Sequence, residues 1–173
     1  PWTPTEGYPA YRELTGGTPI VLIPTACPRL LTSRGHFGAS EARNTAKRLA
    51  ETPSGPVIVV GHYPCLPTTK SYGSKWGHRL AGAALLRATL GASKRQVLYL
   101  AGHVHRFSST ADPDYENVHH LTSPALFNHW KPAHRYGGFL KIDCSQDGFR
   151  VDHHWKTEEW DCEAVDLRDG FAL

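Results

Sequence analysis

Three histidines stand where two short apolar runs stop. His62 follows Val57–Val60 in Gly61-His62-Tyr63-Pro64, and His103 and His105 follow residues 96–101 in Gly102-His103-Val104-His105. Neutral imidazole suits zinc, iron, copper, nickel or manganese and matches hard ions such as calcium poorly, so three rings brought together would make a metal site. Residues two apart in extended backbone point to one side, which lets His103 and His105 serve one ion or two neighbouring ions. The glycine ahead of each histidine is expected to let the chain turn sharply close to a ligand, and Pro64 to fix the exit from the first loop. For the rings to meet, both runs must be strands of one sheet ending at a common rim, because ligands of open α/β sheets collect beyond the carboxyl ends of the strands.

The chain supplies such strands. Residues 57–60 (VIVV) and 96–101 (QVLYLA) are nearly continuous apolar runs rather than alternating ones, the pattern of strands covered on both faces. Between them residues 79–90 (RLAGAALLRATL) predict a deeply packed helix that stops at Gly91, so strand, helix and strand form a βαβ unit. Upstream, residues 19–23 predict a further strand closed by Pro24. Ser40 is the expected N-cap of a surface helix with Glu41 in its first turn, Ala42, Ala46 and Leu49 inward, and Arg43, Lys47 and Arg48 outward. Residues 1–17, with three prolines and three glycines, read as a loop. After residue 107 the pattern changes to short half-buried strands at 118–122, 139–144 and 149–155. Leu140, Ile142 and Cys144 share one face, and Asp147-Gly148 makes a hairpin turn. The acidic tail from Thr157 shows no clear pattern.

A chain of 173 residues, 40% hydrophobic, 20% charged and 10% aromatic, is long enough to bury a core and reads as one domain. Nineteen Lys and Arg against 16 Asp and Glu leave a surplus too small to indicate nucleic acid or an anionic membrane. No run of 18 apolar residues occurs, which argues against a spanning helix. Eleven histidines, about two to three times ordinary usage, point toward metal ligation or proton transfer. Cys27, Cys65, Cys144 and Cys162 have no C-x-x-C spacing, so neither a zinc knuckle nor a redox motif is indicated. With no signal segment in view the expected location is the cytoplasm.

The order VIVVGHYP, helix, VLYLAGHVHRF resembles the later part of a calcineurin-like metallophosphoesterase, whose signature there is a strand-end histidine followed by proline and then a Gly-His-x-His loop. RGHFGASEARNTAKRLAE upstream, and SPALF and GGFLKID with its following Asp-Gly turn downstream, are similar to the family's neighbouring segments. The resemblance implies the C-terminal portion of an α/β/β/α sandwich, with βαβ units followed by antiparallel strands. It implies that His62 and His103 bind one metal and His105 another, two divalent or trivalent ions (Mn, Fe or Zn) that activate a water against a phosphoester. No side chain of this chain is then assigned as nucleophile or general base. The family's earlier Asp-x-His, Gly-Asp and Asn-His elements do not occur upstream of His62, and the one Asn-His is Asn128-His129, after the last metal motif.

The expectation is therefore a single incomplete domain: a loop at 1–17, a βαβ part with the metal loops at 18–107, and an antiparallel closing part at 108–173. An upstream segment or a complementary chain would supply the remaining ligands. Tyr63, Arg106, His129 and His134 are the expected contacts to a phosphorylated small molecule or nucleotide; a nucleic acid substrate is compatible but not indicated, and no membrane partner is expected. Two other readings stand beside the hydrolase: a phosphoesterase-like scaffold or binding module without hydrolysis, and a mononuclear three-histidine metal protein. His119 and His120, adjacent in an expected strand, face opposite ways and do not both enter one site; His153 and His154 share that restriction.

Overall fold

The computed structural model describes residues 8–26, 34–67, 80–126, 137–156 and 160–168. Their elements run β1 (Ala10–Glu13), β2 (Pro19–Leu22), α1 (Ala39–Glu51), β3 (Val57–Val60), α2 (Ala83–Gly91), β4 (Val97–Ala101), β5 (Ser108–Ala111), β6 (Val118–Thr122), β7 (Gly138–Ser145), β8 (Gly148–Lys156) and β9 (Trp160–Leu167). A six-stranded sheet has the order β1-β2-β3-β4-β6-β5, and a three-stranded sheet the order β7-β8-β9. The inner strands β2, β3, β4 and β6 are parallel, with Val57 opposite Val97 and Val60 opposite Leu100, so β3 and β4 end level with one another.

Two cores hold the layers together. On one face of the large sheet Val21, Val57, Val59, Val97 and Tyr99 pack against Leu49 of α1 and Leu86 and Leu90 of α2. On the other, Ile58, Leu98 and Leu121 meet Phe149, Val151 and Leu167 of the small sheet. Strands buried on both faces need apolar side chains at every position, which is why 57–60 and 97–101 carry no polar alternation. The described residues thus form three layers: helices, large sheet, small sheet.

Local differences from the sequence-based expectations have local causes. Residues 1–17 are not all loop, because β1 pairs antiparallel with β2 as the sheet's edge. Helix α1 begins after Gly38 rather than Ser40: the buried Phe37 is tied to Ala81 by its amide (2.8 Å), and the Glu41 carboxylate accepts the Gly38 N–H (2.9 Å). Its inward stripe is Ala42, Thr45 and Leu49, leaving Ala46 exposed. Helix α2 starts at Ala83 because Gly82, at φ 87°, turns the chain where a Cβ would lie 1.9 Å from the Phe37 carbonyl oxygen. Among the described residues no helix is long and apolar enough to cross a membrane.

Candidate metal centre

Parallel pairing of β3 with β4 brings the two histidine loops to one rim, where the Gly61 amide bonds the Leu100 carbonyl (3.0 Å) and the Gly102 amide bonds the His62 carbonyl (3.1 Å). His62 Nε2 and His103 Nδ1 lie 3.2 Å apart, with ring centroids 5.1 Å apart and planes inclined by 72°. The Tyr63 ring lies against His103, centroids 4.1 Å apart and planes inclined by 37°. Burial against these neighbours, and then the nearby charge of His105, lower the His62 pKa, which favours the neutral ring that a metal requires.

The turns are made differently from the expectation. Gly61 and Gly102 do not take up the left-handed conformation; His103 (φ 62°) and His105 (φ 55°) do, around a tight Val104 N–H to Gly102 carbonyl contact of 2.7 Å. Histidine tolerates this region better than most side chains, yet two such residues in one tetrapeptide mark stored backbone strain, which gathers at functional sites. Gly61 is required for space instead, since a Cβ there would fall 2.4 Å from the Tyr99 hydroxyl.

The left-handed turn also undoes the expectation that His103 and His105 share one side of an extended segment. The rings of His62 and His103 meet; His105 is exposed, and its charge is felt at His62. Among the described residues no group of three His, Cys, Asp or Glu side chains is arranged to hold a metal ion. The pair nevertheless fits part of a ligand set. Two nitrogens at about 2.0–2.1 Å from a tetrahedral ion stand about 3.3 Å apart, against the 3.2 Å found. With one of those nitrogens protonated, the same spacing is an N–H···N hydrogen bond; the tautomers decide between the two states.

The other expected site residues divide. Tyr63 is 6% exposed, with its ring against His103. Arg106 is exposed beside His105, its carbonyl accepting the Thr122 hydroxyl at 2.6 Å. His129 and His134 lie outside the described residues. Cys65 is buried (8% exposed), and burial drives its thiol pKa far up. Sequence reasoning missed Thr25, whose hydroxyl accepts the His62 and Tyr63 amides (2.7 and 3.2 Å), and Tyr99, whose hydroxyl donates to the Tyr63 carbonyl (2.7 Å). The available signal for Thr25 was a hydroxyl just past the end of the strand next to β3.

Among solved structures the chain is similar to a dimetal phosphatase from Danio rerio, at 13% identity over 88% of this chain and 59% of that one, with a TM-score of 0.57. It is also similar to PhoD, at 8% identity over 93% of this chain and 42% of that one, with a TM-score of 0.62. The fold is metallophosphoesterase-like. This chain spans less than two thirds of either neighbour's length. No family model and no curated protein matches the sequence. On the metallophosphoesterase-like fold the facing His62 and His103 occupy the carboxyl rim of the parallel strands, where such sheets carry their ligands.

Proposed function

We propose that this chain is the histidine-bearing part of a metal-dependent phosphoester hydrolase. The observation that carries the reading is the 3.2 Å approach of His62 Nε2 to His103 Nδ1 at the rim of β3 and β4, on a fold similar to that of a dimetal phosphatase. In this reading both nitrogens ligate one cation, Mn, Fe or Zn. His105, exposed and near enough for its charge to act on His62, suits a second cation. A bound cation would supply Lewis acidity and charge neutralisation toward a phosphoryl group.

The chain's own residues then bind and orient. His62 is kept neutral by its surroundings, Tyr63 backs the His103 ring, and Arg106 offers a guanidinium beside His105 for a phosphate oxygen. The rest of the ligand set, including a bridging carboxylate, comes from a further segment or a complementary chain. The substrate class is a phosphorylated small molecule or nucleotide.

The test is a panel of phosphomonoesters, phosphodiesters and nucleotides with added Mn²⁺, Zn²⁺ or Fe²⁺, assayed on the full-length protein as wild type and as His103→Ala. Metal-dependent hydrolysis that falls by about 100-fold or more, the roughly 2.7 kcal/mol of a lost transition-state contact, supports the reading. Tight folding with no bound ion and no turnover would instead support a non-catalytic scaffold.

A further inference from the structure

We infer that Thr25 is a positioning residue for His62, holding that ring against His103; the inference rests on the reading of the two rings as ligands of one cation. Thr25 lies just beyond β2, is 1% exposed, and is not part of either histidine loop. Its Oγ1 accepts the His62 N–H at 2.7 Å and the Tyr63 N–H at 3.2 Å. From the other side, β4 completes the grip. The Gly102 amide bonds the His62 carbonyl (3.1 Å), and the Tyr99 hydroxyl reaches under Gly61 to the Tyr63 carbonyl (2.7 Å).

Both N–H groups and both carbonyls of His62-Tyr63 are therefore fixed by Thr25, just beyond β2, and by Tyr99 and Gly102, in and just beyond β4. This is the loop-exit geometry from which the His62 ring must approach His103. Threonine suits the task because its β-branched side chain has few rotamers, and one hydroxyl oxygen has two lone pairs for two amides. Thr25→Val keeps the shape and removes the acceptor, leaving two amides without it. The peptide then relaxes toward other partners, and the ring nitrogens lose their fixed separation. Thr25→Ser restores the oxygen.

Partners that orient metal ligands typically change metal affinity by about 10–100-fold when removed. Zn²⁺ titration of the full-length protein by calorimetry should show Thr25→Val binding about 10-fold more weakly, and Thr25→Ser matching wild type within about twofold. Leu49→Ala, a core truncation on α1, separates loss of positioning from loss of stability: it should leave the affinity unchanged. Amide hydrogen exchange gives a readout that needs no metal. In Thr25→Val the His62 and Tyr63 amides should exchange at least about 10-fold faster while Leu98 stays protected, and in Leu49→Ala the two loop amides should change no more than Leu98. Unchanged exchange at His62 and Tyr63 in Thr25→Val, or an equal affinity loss in Leu49→Ala, overturns the inference. Failure of the wild type to bind Zn²⁺ sinks the ligand reading of His62 and His103 instead, and the exchange result still decides the role of Thr25.

Discussion

The histidines at the sheet rim and those inside the sandwich are the same residue put to opposite uses. At the rim, His62 and His103 turn nitrogens toward each other at 3.2 Å, where solvent and a ligand can reach them. Inside, His119, His120 and His153 are 7%, 2% and 6% exposed. His120 Nε2 is 2.8 Å from Asp112, which also takes two hydrogen bonds from Arg87 (2.7 and 2.6 Å). His119 meets the Ser109 hydroxyl at 2.7 Å, and His153 stacks on Phe107 at 4.1 Å. These contacts fasten the β5–β6 hairpin to α2, and the small sheet to the segment after the second histidine loop. A surplus of histidine therefore does not count ligands. What separates the two groups is their surroundings: the core rings are buried against protein side chains, and the rim rings turn nitrogens toward one another.

The contrast can be broken from the core side first, where the expected effects are largest. Burial alone would push the Asp112 carboxyl up, but hydrogen bonds from Arg87 and His120, with the Asp114 amide, outweigh it and hold the pKa far below the usual carboxylate range. Asp112→Ala takes two hydrogen bonds from Arg87, which keeps Asp114, and removes the carboxylate beside the buried His120; it should cost about 3–5 kcal/mol in urea denaturation, and a loss under about 1 kcal/mol would show that the cluster is not a structural anchor.

Next in size is a pH effect. Burial, and then His120, push the His119 pKa down to about 4. The unfolded chain takes up a proton near pH 6.5 that the folded chain refuses until about pH 4, so stability should fall as the pH drops through that interval, by about 3 kcal/mol in all. Asp112 adds a further loss below about pH 4, where its carboxylate is protonated in the unfolded chain first. Denaturant midpoints between pH 7 and 4 read this loss together with that from His62, whose pKa is also lowered, and His119→Gln should remove the His119 part and flatten the profile.

Gly61→Ala acts at the junction of the two regions. Its Cβ would meet the Tyr99 hydroxyl at 2.4 Å, so Tyr99 must shift and release the Tyr63 carbonyl. The expected cost is about 1–3 kcal/mol, together with weaker metal binding in the same calorimetric titration. The smallest stability effect belongs to the rim itself. His103→Gln should change stability by no more than about 0.5 kcal/mol while abolishing the shared ion; a large destabilisation would place His103 with the core histidines.

The sheet's spine was legible because strands buried on both faces leave an unmistakable apolar run, as in 57–60 and 97–101. Edge strands were not. β1 reads AYRE and is half exposed, β5 reads SSTA and is held partly through hydroxyl contacts to His119 and Thr122, and β9 hides Val165 and Leu167 among acidic residues. Strand-end position pointed to His62 and His103, and their rings meet. It could not show that His103 and His105 adopt left-handed backbone. Nor could it find Thr25 and Tyr99, whose hydroxyls act across strands 36 to 38 residues from the loop they hold. Such contacts depend on register, and register emerges only from the assembled sheet.

The most direct test of the shared cation is a crystal of the full-length protein grown with Zn²⁺ and measured at the zinc absorption edge. The expected result is one anomalous peak about 2.1 Å from both His62 Nε2 and His103 Nδ1. Ordered rings with those nitrogens still in a direct hydrogen bond, and no peak touching both, would contradict it.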